Sequence, residues 1–322
     1  MLQNQNNMKN FYSYQDVDDL PELLKQALEC KKNPLKNNVL GKNRSICLLF
    51  FNSSLRTRLS TQKAATNLGL NVSVMDISKE AWQLEFADGA IMNGDKAEHI
   101  KEAAPVIGQY FDIIGIRAFP GLQDRELDYQ DQVLKSFIQY AGVPVVNLES
   151  AILHPFQSLA DLITIEQFKQ KTRPKVVLTW APHPKTLPQA VPNSFVEWMK
   201  NAEVDLVVTH PKGYELAEQF TRGVNIEYNQ DKAFADADFI YAKNWSSYQS
   251  YGQKLTEDSN WMVTSEKMAL TNQAKFMHCL PVRRNVVVAD SVLDGSSSVV
   301  VEQAANRVVS AQVVLKKILE SN

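Results

Sequence analysis

The chain alternates between short apolar runs rich in β-branched residues and longer stretches in which apolar and polar residues recur at helical spacing. The runs predicted to be strands are Ser45–Phe51, Asn71–Ile77, Phe111–Phe119, Pro144–Glu149, Lys175–Ala181, Val204–Pro211, Asn225–Tyr228, Phe239–Trp245 and Lys275–Pro281. The stretches predicted to be helices between them include Thr57–Leu68, Ala97–Tyr110, Gln157–Lys169 and Asn193–Ala202. Strands that are apolar throughout are typical of parallel sheets covered by helices on both faces. The pattern predicts an α/β fold with two doubly wound parallel-sheet domains in tandem.

The division between the domains is predicted near residues 150–157, because the fourth apolar run ends at Glu149 and a helix begins after His154-Pro155. The closing segment Glu302–Leu319 has the apolar spacing of an amphipathic helix. The segment Ala181–Asn193 contains four prolines. Because proline disfavours helix interiors and central strands, this segment is predicted to be a stiff, extended loop.

Composition and charge exclude several classes of protein. A length of 322 residues suits two domains. With 34 basic and 36 acidic residues the formal net charge is −2, so there is no global basic field to hold nucleic acid. The 3 cysteines form no CxxC pair, which favours a reducing compartment. The Asn/Gln-rich start, Met1 to Asp16, lacks the apolar centre of a secretory signal, and no apolar run predicts a membrane span. We expect a soluble, cytoplasmic protein.

The end of the first predicted strand carries groups that suit an anion. Ser54, Arg56 and Thr57 follow the strand and open a helix, where backbone N–H groups lack partners within the helix. Together with two hydroxyls and a guanidinium, these N–H groups make a site for a phosphate. The alternative is that Ser54 only caps the helix and the arginines are solvated. Neither GxGxxG nor GxxxxGK[ST] follows any strand, so dinucleotide binding and P-loop chemistry lose support.

Two further strand ends in the first half carry polar residues. Arg117 ends the third run, and His154 and Gln157 follow the fourth. Ligands of open α/β sheets bind beyond the carboxyl ends of the strands, so these residues are predicted to lie near Ser54–Thr57. Arg117 offers a fork of donors, and His154 can donate a proton to a carbonyl oxygen. A single histidine before proline is more often structural.

The last predicted strand of the second half ends in His278-Cys-Leu-Pro-Val-Arg-Arg284. Cys279 is a candidate nucleophile, because cysteine thiolates attack carbonyl carbon. The sequence shows no His–Asn or His–Asp partner set around it, so a buried, inert thiol is the alternative.

Four motifs in this order resemble the transcarbamylase family: Ser54-Leu-Arg-Thr-Arg58, Arg117-Ala-Phe-Pro120, His154-Pro-Phe-Gln157 and His278-Cys-Leu-Pro281. The last motif resembles the ornithine branch rather than the aspartate branch. Within that branch the chain is similar to the N-acylornithine carbamoyltransferases, in its Ala81-Trp82 loop, its proline-rich segment and Ala242-Lys-Asn-Trp245. The classical ornithine carbamoyltransferases bind free ornithine with an SMG loop. In that region this chain has Ser246–Gly252 instead.

The resemblance implies a carbamoyl phosphate-binding domain over residues 1–153, completed by a C-terminal helix over 302–322, and an acylornithine-binding domain over 154–301. It also implies a knotted backbone, in which Ala181–Asn193 encircles part of Lys243–Trp261. It further implies a homotrimer with shared active sites, in which Trp82 reaches the carbamoyl phosphate site of a neighbouring subunit. Without the resemblance, Trp82 is interpreted as a half-buried aromatic residue.

The reaction that the resemblance implies moves a carbamoyl group from carbamoyl phosphate to an amine, with no metal, cofactor or covalent intermediate. The implied carbamoyl phosphate contacts are Ser54, Leu55, Arg56, Thr57, Trp82, Arg117, His154, Gln157, Cys279, Leu280 and Arg307. Among these, the implied catalytic residues are Arg56, Arg117, His154 and Cys279. Such a set suits an uncharged amine attacking a planar carbonyl, because cations stabilise the charge that grows on the oxygen and on the leaving phosphate.

The acceptor residues that the resemblance implies are Glu149, His183, Lys243, Arg283 and Ala97. Acetylornithine enzymes have a glutamate in place of Ala97 and a lysine in place of Val287, while succinyl-type enzymes have a proline in place of Ala97. Both differences favour N-succinyl-L-ornithine, because a glutamate would repel its second carboxylate. N-acetyl-L-ornithine and L-ornithine remain alternative acceptors. A non-catalytic or nucleotide-binding α/β protein is the alternative from a different class.

Overall fold

A computed structural model describes residues 8–321 and divides the chain into two compact units. The first unit contains the chain up to Gly121, then Glu126–Phe156, and the end of the chain from Arg307. The second unit contains Leu122–Arg125 and Gln157–Asn306. The part of the Asn/Gln-rich start before Met8 and residue 322 of the predicted C-terminal helix lie outside the described residues.

The strands of the described chain are β1 (Ser45–Phe50), β2 (Asn71–Asp76), β3 (Leu84–Glu85), β4 (Glu98–His99), β5 (Ile113–Arg117), β6 (Val145–Glu149), β7 (Lys175–Trp180), β8 (Asp205–Thr209), β9 (Asn225–Glu227), β10 (Phe239–Lys243) and β11 (Lys275–Met277). The α-helices are α1 (Leu20–Lys32), α2 (Arg56–Asn67), α3 (Ile77–Glu80), α4 (Ile100–Tyr110), α5 (Arg125–Gln130), α6 (Gln132–Tyr140), α7 (Pro155–Phe168), α8 (Ala190–Lys200), α9 (Glu218–Thr221), α10 (Gln230–Phe234), α11 (Ser265–Met268), α12 (Asp290–Leu293) and α13 (Val300–Ser321). Short 3₁₀ turns form at Tyr14–Asp16 and Ser259–Trp261. No helix of residues 8–321 combines the length and the apolar character that crossing a membrane requires.

The main sheet of the first unit is parallel and has the strand order β2-β1-β5-β6. The chain moves from β1 outwards to β2 and then returns to place β5 on the other side of β1. The carboxyl ends of β1 and β5 therefore flank a topological switch point, the usual place for a ligand in such sheets. Phe50 and Arg117 are paired at these ends. A cluster of buried apolar side chains, among them Ile114 and Phe137, holds helices against the sheet.

The sheet of the second unit is also parallel, with the strand order β11-β10-β7-β8-β9. Its switch point lies between β7 and β10, whose carboxyl ends pair Trp180 with Lys243. The buried apolar core of this unit includes Val177, Ile240 and Phe276. The predicted α/β fold with two doubly wound parallel sheets is confirmed.

All nine predicted strands form, although most are shorter than the apolar runs at one or both ends. The predicted helix at Ala97–Tyr110 is wrong at its start, because Glu98–His99 form β4, which pairs with β3. His99 then caps α4, since its Nδ1 accepts a hydrogen bond from the Lys101 N–H.

The prediction that Ala181–Asn193 excludes a helix is wrong at its end, because α8 begins at Ala190. Pro192 lies in the first turn of α8, where a backbone N–H has no partner within the helix, so proline is tolerated there. The rest of the segment is an irregular loop. It is bound to the chain after β10, since the Ser246 N–H donates to the Leu187 oxygen and the Asn244 amide donates to the Ala181 oxygen. The knot stays a prediction.

Candidate active site

The loop after β1 and the start of α2 form the predicted phosphate site. The helix begins at Arg56, and Leu55 occupies the N-cap position. No side chain accepts a capping hydrogen bond from the backbone of the first turn. The alternative that Ser54 only caps the helix is therefore wrong. The first turn of α2 has no acidic residue, whereas the first turns of α1 and α4 have Glu22 and Glu102. Since a helix N-terminus attracts negative charge, the arginine there favours an external anion.

Arg307 reaches the same turn from α13 within the first unit. Its Nη2 donates to Thr57 Oγ1 at 2.8 Å, and both side chains are buried. Further along both helices, the Asn67 amide donates to Gln312 Oε1 at 2.9 Å. These two buried hydrogen bonds fix α13 on α2, so that a guanidinium lies beside the N-terminal turn of α2.

Arg117 connects the switch point of the first unit to this loop. Its Nη1 donates to the backbone oxygens of Asn52 and Ser53, at 2.9 and 2.8 Å. Its guanidinium carbon lies 4.0 Å from the centre of the Phe119 ring. The side chain is 5% exposed, so its position is set almost entirely by protein contacts. A buried guanidinium is thereby held where β1 and β5 end.

Glu149 and His154 complete the polar set of the first unit. Arg117 Nε donates to Glu149 Oε2 at 3.1 Å, and Nη2 lies at the same distance from that oxygen. His154 Nε2 lies 3.6 Å from the same oxygen, and His154 is 3% exposed. Glu149 therefore contacts both residues that are predicted to polarise a carbonyl oxygen. Its predicted contact with an acceptor amide stays a prediction.

Gln157, Cys279 and Leu280 belong to the second unit. Gln157 is buried on α7, and its Nε2 donates to Asp161 Oδ1 at 2.7 Å. Cys279 is partly exposed and lies near the Tyr241 hydroxyl, whose pKa is raised well above its ordinary value by burial and by the neighbouring Asp161 and Cys279. Within residues 8–321 no group of three His, Cys, Asp or Glu side chains could hold a metal ion.

Three of the predicted acceptor residues lie close together in the second unit. Burial lowers the pKa of the His183 imidazole, and the positive charges of Lys243, Arg283 and Lys254 lower it further. His183 Nδ1 lies 2.8 Å from the backbone oxygen of Lys185 and 3.0 Å from its backbone nitrogen. His183, Lys185 and Lys254 also line one small cavity. The structure therefore gathers cations around a histidine in the second unit.

The two consecutive arginines after β11 differ in their partners. Arg284 contacts Asp290 at 2.8 Å and Asp294 at 2.7 Å, which raises the pKa of the guanidinium above its ordinary value. No acidic side chain of residues 8–321 forms an ion pair with Arg283 or Lys243. Arg284 thus has a structural role, and Arg283 is the one suited to a ligand carboxylate.

The predicted loop residues of the first unit are exposed. Trp82 is 59% exposed, so its interpretation as a half-buried aromatic residue is wrong. Its Nε1 donates to Glu98 Oε2 at 2.7 Å, and Ala97, which precedes Glu98, is also exposed. Val287, by contrast, is buried in the apolar core of the second unit. A lysine in its place would have to carry its charge out of that core.

Sequence reasoning missed Asp161, Gln303 and Lys254. Asp161 follows Gln157 by four residues on one helix, so helical spacing could have indicated their contact. Gln303 meets Asp161 only through the fold, and no local pattern marks it. Lys254 forms a local ion pair with Glu257, but its place near His183 depends on the fold.

Residues 9–167 match the carbamoyl-phosphate binding domain of the aspartate/ornithine carbamoyltransferases, and residues 188–318 match the Asp/Orn binding domain of the same family. The N-succinylornithine carbamoyltransferase of Bacteroides thetaiotaomicron is 57% identical over 315 residues, which cover 97% of this chain and 99% of the relative. That of Bacteroides fragilis is 55% identical over 316 residues, covering 98% and 99%. A crystal structure of acetylornithine transcarbamylase with acetylcitrulline superimposes with a TM-score of 0.91 at 38% identity, covering 96% of this chain and 99% of that one. The chain belongs to the aspartate/ornithine carbamoyltransferase family.

Proposed function

We propose that the protein transfers the carbamoyl group of carbamoyl phosphate to the δ-amine of N-succinyl-L-ornithine, giving N-succinyl-L-citrulline and phosphate in arginine biosynthesis. The observation that carries this proposal is Arg117, which is buried and fixed on the loop before the α2 N-terminus. The identity to N-succinylornithine carbamoyltransferases over nearly the whole chain supports the choice of acceptor.

The donor phosphate is proposed to bind the N–H groups and hydroxyls of Ser54–Thr57, with Arg56, Arg117 and Arg307. The helix N-terminus and the guanidinium groups together offer the directed donors and positive potential that a phosphate dianion requires. Gln157 and the backbone oxygens of Cys279 and Leu280 are proposed to accept hydrogen bonds from the carbamoyl NH₂.

The chemical step is attack of the neutral δ-amine on the carbamoyl carbon. A C–N bond forms while negative charge develops on the carbonyl oxygen, where Arg117 and His154 donate hydrogen bonds. The C–O bond to phosphate then breaks, and the departing phosphate oxygen accepts the proton that the amine loses. Donors aimed at the developing charge contribute about 10²–10³ each in kcat. Glu149 assists by holding Arg117 and His154 in place.

The acceptor is proposed to bind in the second unit through His183, Lys243 and Arg283. N-succinyl-L-ornithine has two carboxylates, so a cluster of cations without acidic partners suits it better than it suits the N-acetyl compound, which has one. Ala97 adds no negative charge that would repel the second carboxylate, and Glu149 is proposed to accept from the acyl amide N–H.

The test is a panel of acceptors assayed with carbamoyl phosphate for ureido product. We expect N-succinyl-L-ornithine to be carbamoylated far better than N-acetyl-L-ornithine, and L-ornithine hardly at all. Product from N-acetyl-L-ornithine at an equal or higher kcat/KM would show that the acceptor is wrong. If no acceptor gives product, the alternative that the protein is non-catalytic is favoured instead.

The assembly proposed is a cytoplasmic homotrimer, in which Trp82 serves the carbamoyl phosphate site of a neighbouring subunit. Its exposed indole and the family membership support this arrangement. Mixing inactive Trp82→Ala and Arg117→Ala subunits should restore activity, because some mixed sites have both residues intact. A fully active monomer in sedimentation, or no recovery on mixing, would contradict shared sites.

A further inference from the structure

A buried polar network surrounds Asp161 on α7. Asp161 is 0% exposed, and its Oδ1 accepts two hydrogen bonds of 2.7 Å, one from Gln157 Nε2 and one from Gln303 Nε2. Gln303 is also fully buried, and its Oε1 accepts from the His278 N–H at 2.9 Å. The network therefore links Gln157 on α7 to the backbone that begins the His278–Pro281 segment.

The chemistry of the partners fixes both glutamine amides. Asp161 Oδ1 accepts from the NH₂ group of each glutamine, so each amide turns its Nε2 towards Asp161. Gln303 lies between this acceptor and the His278 N–H, which only donates, so its Oε1 must face His278. By the same argument Gln157 turns its Nε2 towards Asp161, so that its Oε1 points away from Asp161. Without the carboxylate, Gln157 would lose the acceptor that orients its amide, and Gln303 would keep only the hydrogen bond from the His278 N–H.

We infer that Asp161 is a positioning residue that makes the enzyme select the NH₂ group of its donor. This inference rests on the proposed function, in which Gln157 and the backbone oxygens of Cys279 and Leu280 hold the carbamoyl NH₂. Asp161 presents Gln157 Oε1 as an acceptor, and through Gln303 it anchors the segment that bears the two backbone oxygens. A site lined only by acceptors favours an NH₂ group over a methyl group, since each acceptor left unpaired by a methyl costs free energy.

The test compares carbamoyl phosphate with acetyl phosphate, which has a methyl group in place of NH₂ and the same carbonyl and phosphate. Calorimetric titration gives the dissociation constant of each, and their ratio measures selection of NH₂. We expect Asp161→Ala to lower this ratio about tenfold, chiefly by weakening carbamoyl phosphate. Asp161→Asn, which keeps an oxygen at the Oδ1 position, should retain the ratio within about threefold.

A matched control is Thr164→Val on the same helix. Thr164 is equally buried, and its Oγ1 accepts from the Asn306 amide at 2.8 Å and donates to the Ala160 oxygen at 2.7 Å. This variant loses a buried polar contact without touching Gln157, so its ratio should equal that of the wild type. Equal weakening of both ligands in Asp161→Ala, or the same loss of ratio in Asp161→Asn as in Asp161→Ala, would overturn the inference.

Gln303→Met provides a second test that leaves the buried carboxylate in place, should Asp161→Ala fail to fold. It removes only the link from Asp161 to the His278 N–H, and we expect the ratio to fall about threefold. An unchanged ratio in folded Gln303→Met would contradict the anchoring role. Failure of the proposed function is distinguishable, because it shows in the wild type as no ureido product from N-succinyl-L-ornithine.

Discussion

The two units differ in how they hold the polar side chains at the ends of their strands. In the first unit, hydrogen bonds to other protein groups fix these side chains. Arg117 contacts the Glu149 carboxylate and the backbone oxygens of the loop after β1, and Arg307 contacts Thr57. These cations are buried, and their hydrogen-bonding partners fix the direction of each donor. A site of this kind is organised before any ligand arrives, so little reorganisation is required during the reaction.

The second unit instead collects positive charge. His183 is surrounded by the charges of Lys243, Arg283 and Lys254, and no acidic side chain of residues 8–321 pairs with Lys243 or Arg283. Like charges at close range raise the free energy of the empty site, and a ligand carboxylate relieves that repulsion. Under the proposed function, the first unit supplies oriented donors for the chemical step, and the second unit supplies a positive potential that favours an anionic acceptor.

The largest effect should come from Arg117→Ala in the first unit. Loss of the guanidinium removes a donor to the developing oxyanion and leaves the Glu149 carboxylate without its main partner, so kcat should fall by about 10³. Arg44→Ala is the matched control, since Arg44 donates to the backbone oxygen of Leu319 in the same unit and should leave kcat unchanged. Steady-state rates of ureido product decide the matter; a fall of less than tenfold would contradict an organised donor site.

In the second unit, Arg283→Ala should change acceptor binding, whereas Arg284→Ala should change only stability. Arg283→Ala removes the proposed charge-assisted hydrogen bond to the acceptor, so KM for N-succinyl-L-ornithine should rise about 10- to 100-fold, with the Tm unchanged. Arg284→Ala loses exposed ion pairs with Asp290 and Asp294, so only a slight fall in Tm is expected. The reverse result would show that the cation cluster has been assigned to the wrong arginine.

Ala97→Glu asks whether the first unit also takes part in choosing the acceptor. A new carboxylate should repel the succinyl carboxylate, so the ratio of kcat/KM for N-succinyl- over N-acetyl-L-ornithine should fall about tenfold or more. Ala87→Glu, an exposed alanine of the same loop, adds the same charge and serves as the control. If both variants shift the ratio equally, the added net charge causes the effect, and position 97 has no specific role.

The smallest effect concerns the pH dependence of stability near neutral pH, to which we expect the buried histidines of the second unit to contribute. Burial lowers the pKa of His210 below its ordinary value. Between that lowered pKa and the unfolded value of about 6.5, the unfolded chain binds more protons, so the free energy of unfolding falls as the pH falls through this range. His183 should contribute in the same direction.

His210→Gln cannot titrate and should make this dependence shallower. Urea unfolding at about pH 7.5 and pH 5 measures the difference between wild type and variant. An unchanged difference between the two pH values would show that His210 carries none of the effect.

Much of the fold could be predicted because its signals are local. The nine apolar runs became the nine strands of the two main sheets, since a run that is buried on both faces must be apolar throughout. The strands β3 and β4 were missed because each has only two residues, too few for any periodic pattern. The loop prediction for Ala181–Asn193 was wrong at its end because the effect of Pro192 depends on its position in the helix. A proline in the first turn is tolerated, and composition does not reveal that position.

Local patterns of residues were enough to predict the alternation of strands and helices, the polar residues that follow each strand, and the order of motifs that marks the family. Which of these residues contact one another depends on how the chain folds. Glu149 and Arg117 are 32 residues apart along the chain, yet share a hydrogen bond. Asp161 and Gln303 are 142 apart. The fold also distinguishes the two consecutive arginines, because Arg284 pairs with Asp290 and Asp294 whereas Arg283 does not. Local sequence patterns reflect burial and backbone geometry, which act over a few residues, whereas hydrogen bonds and charge interactions depend on distances that the folded chain sets.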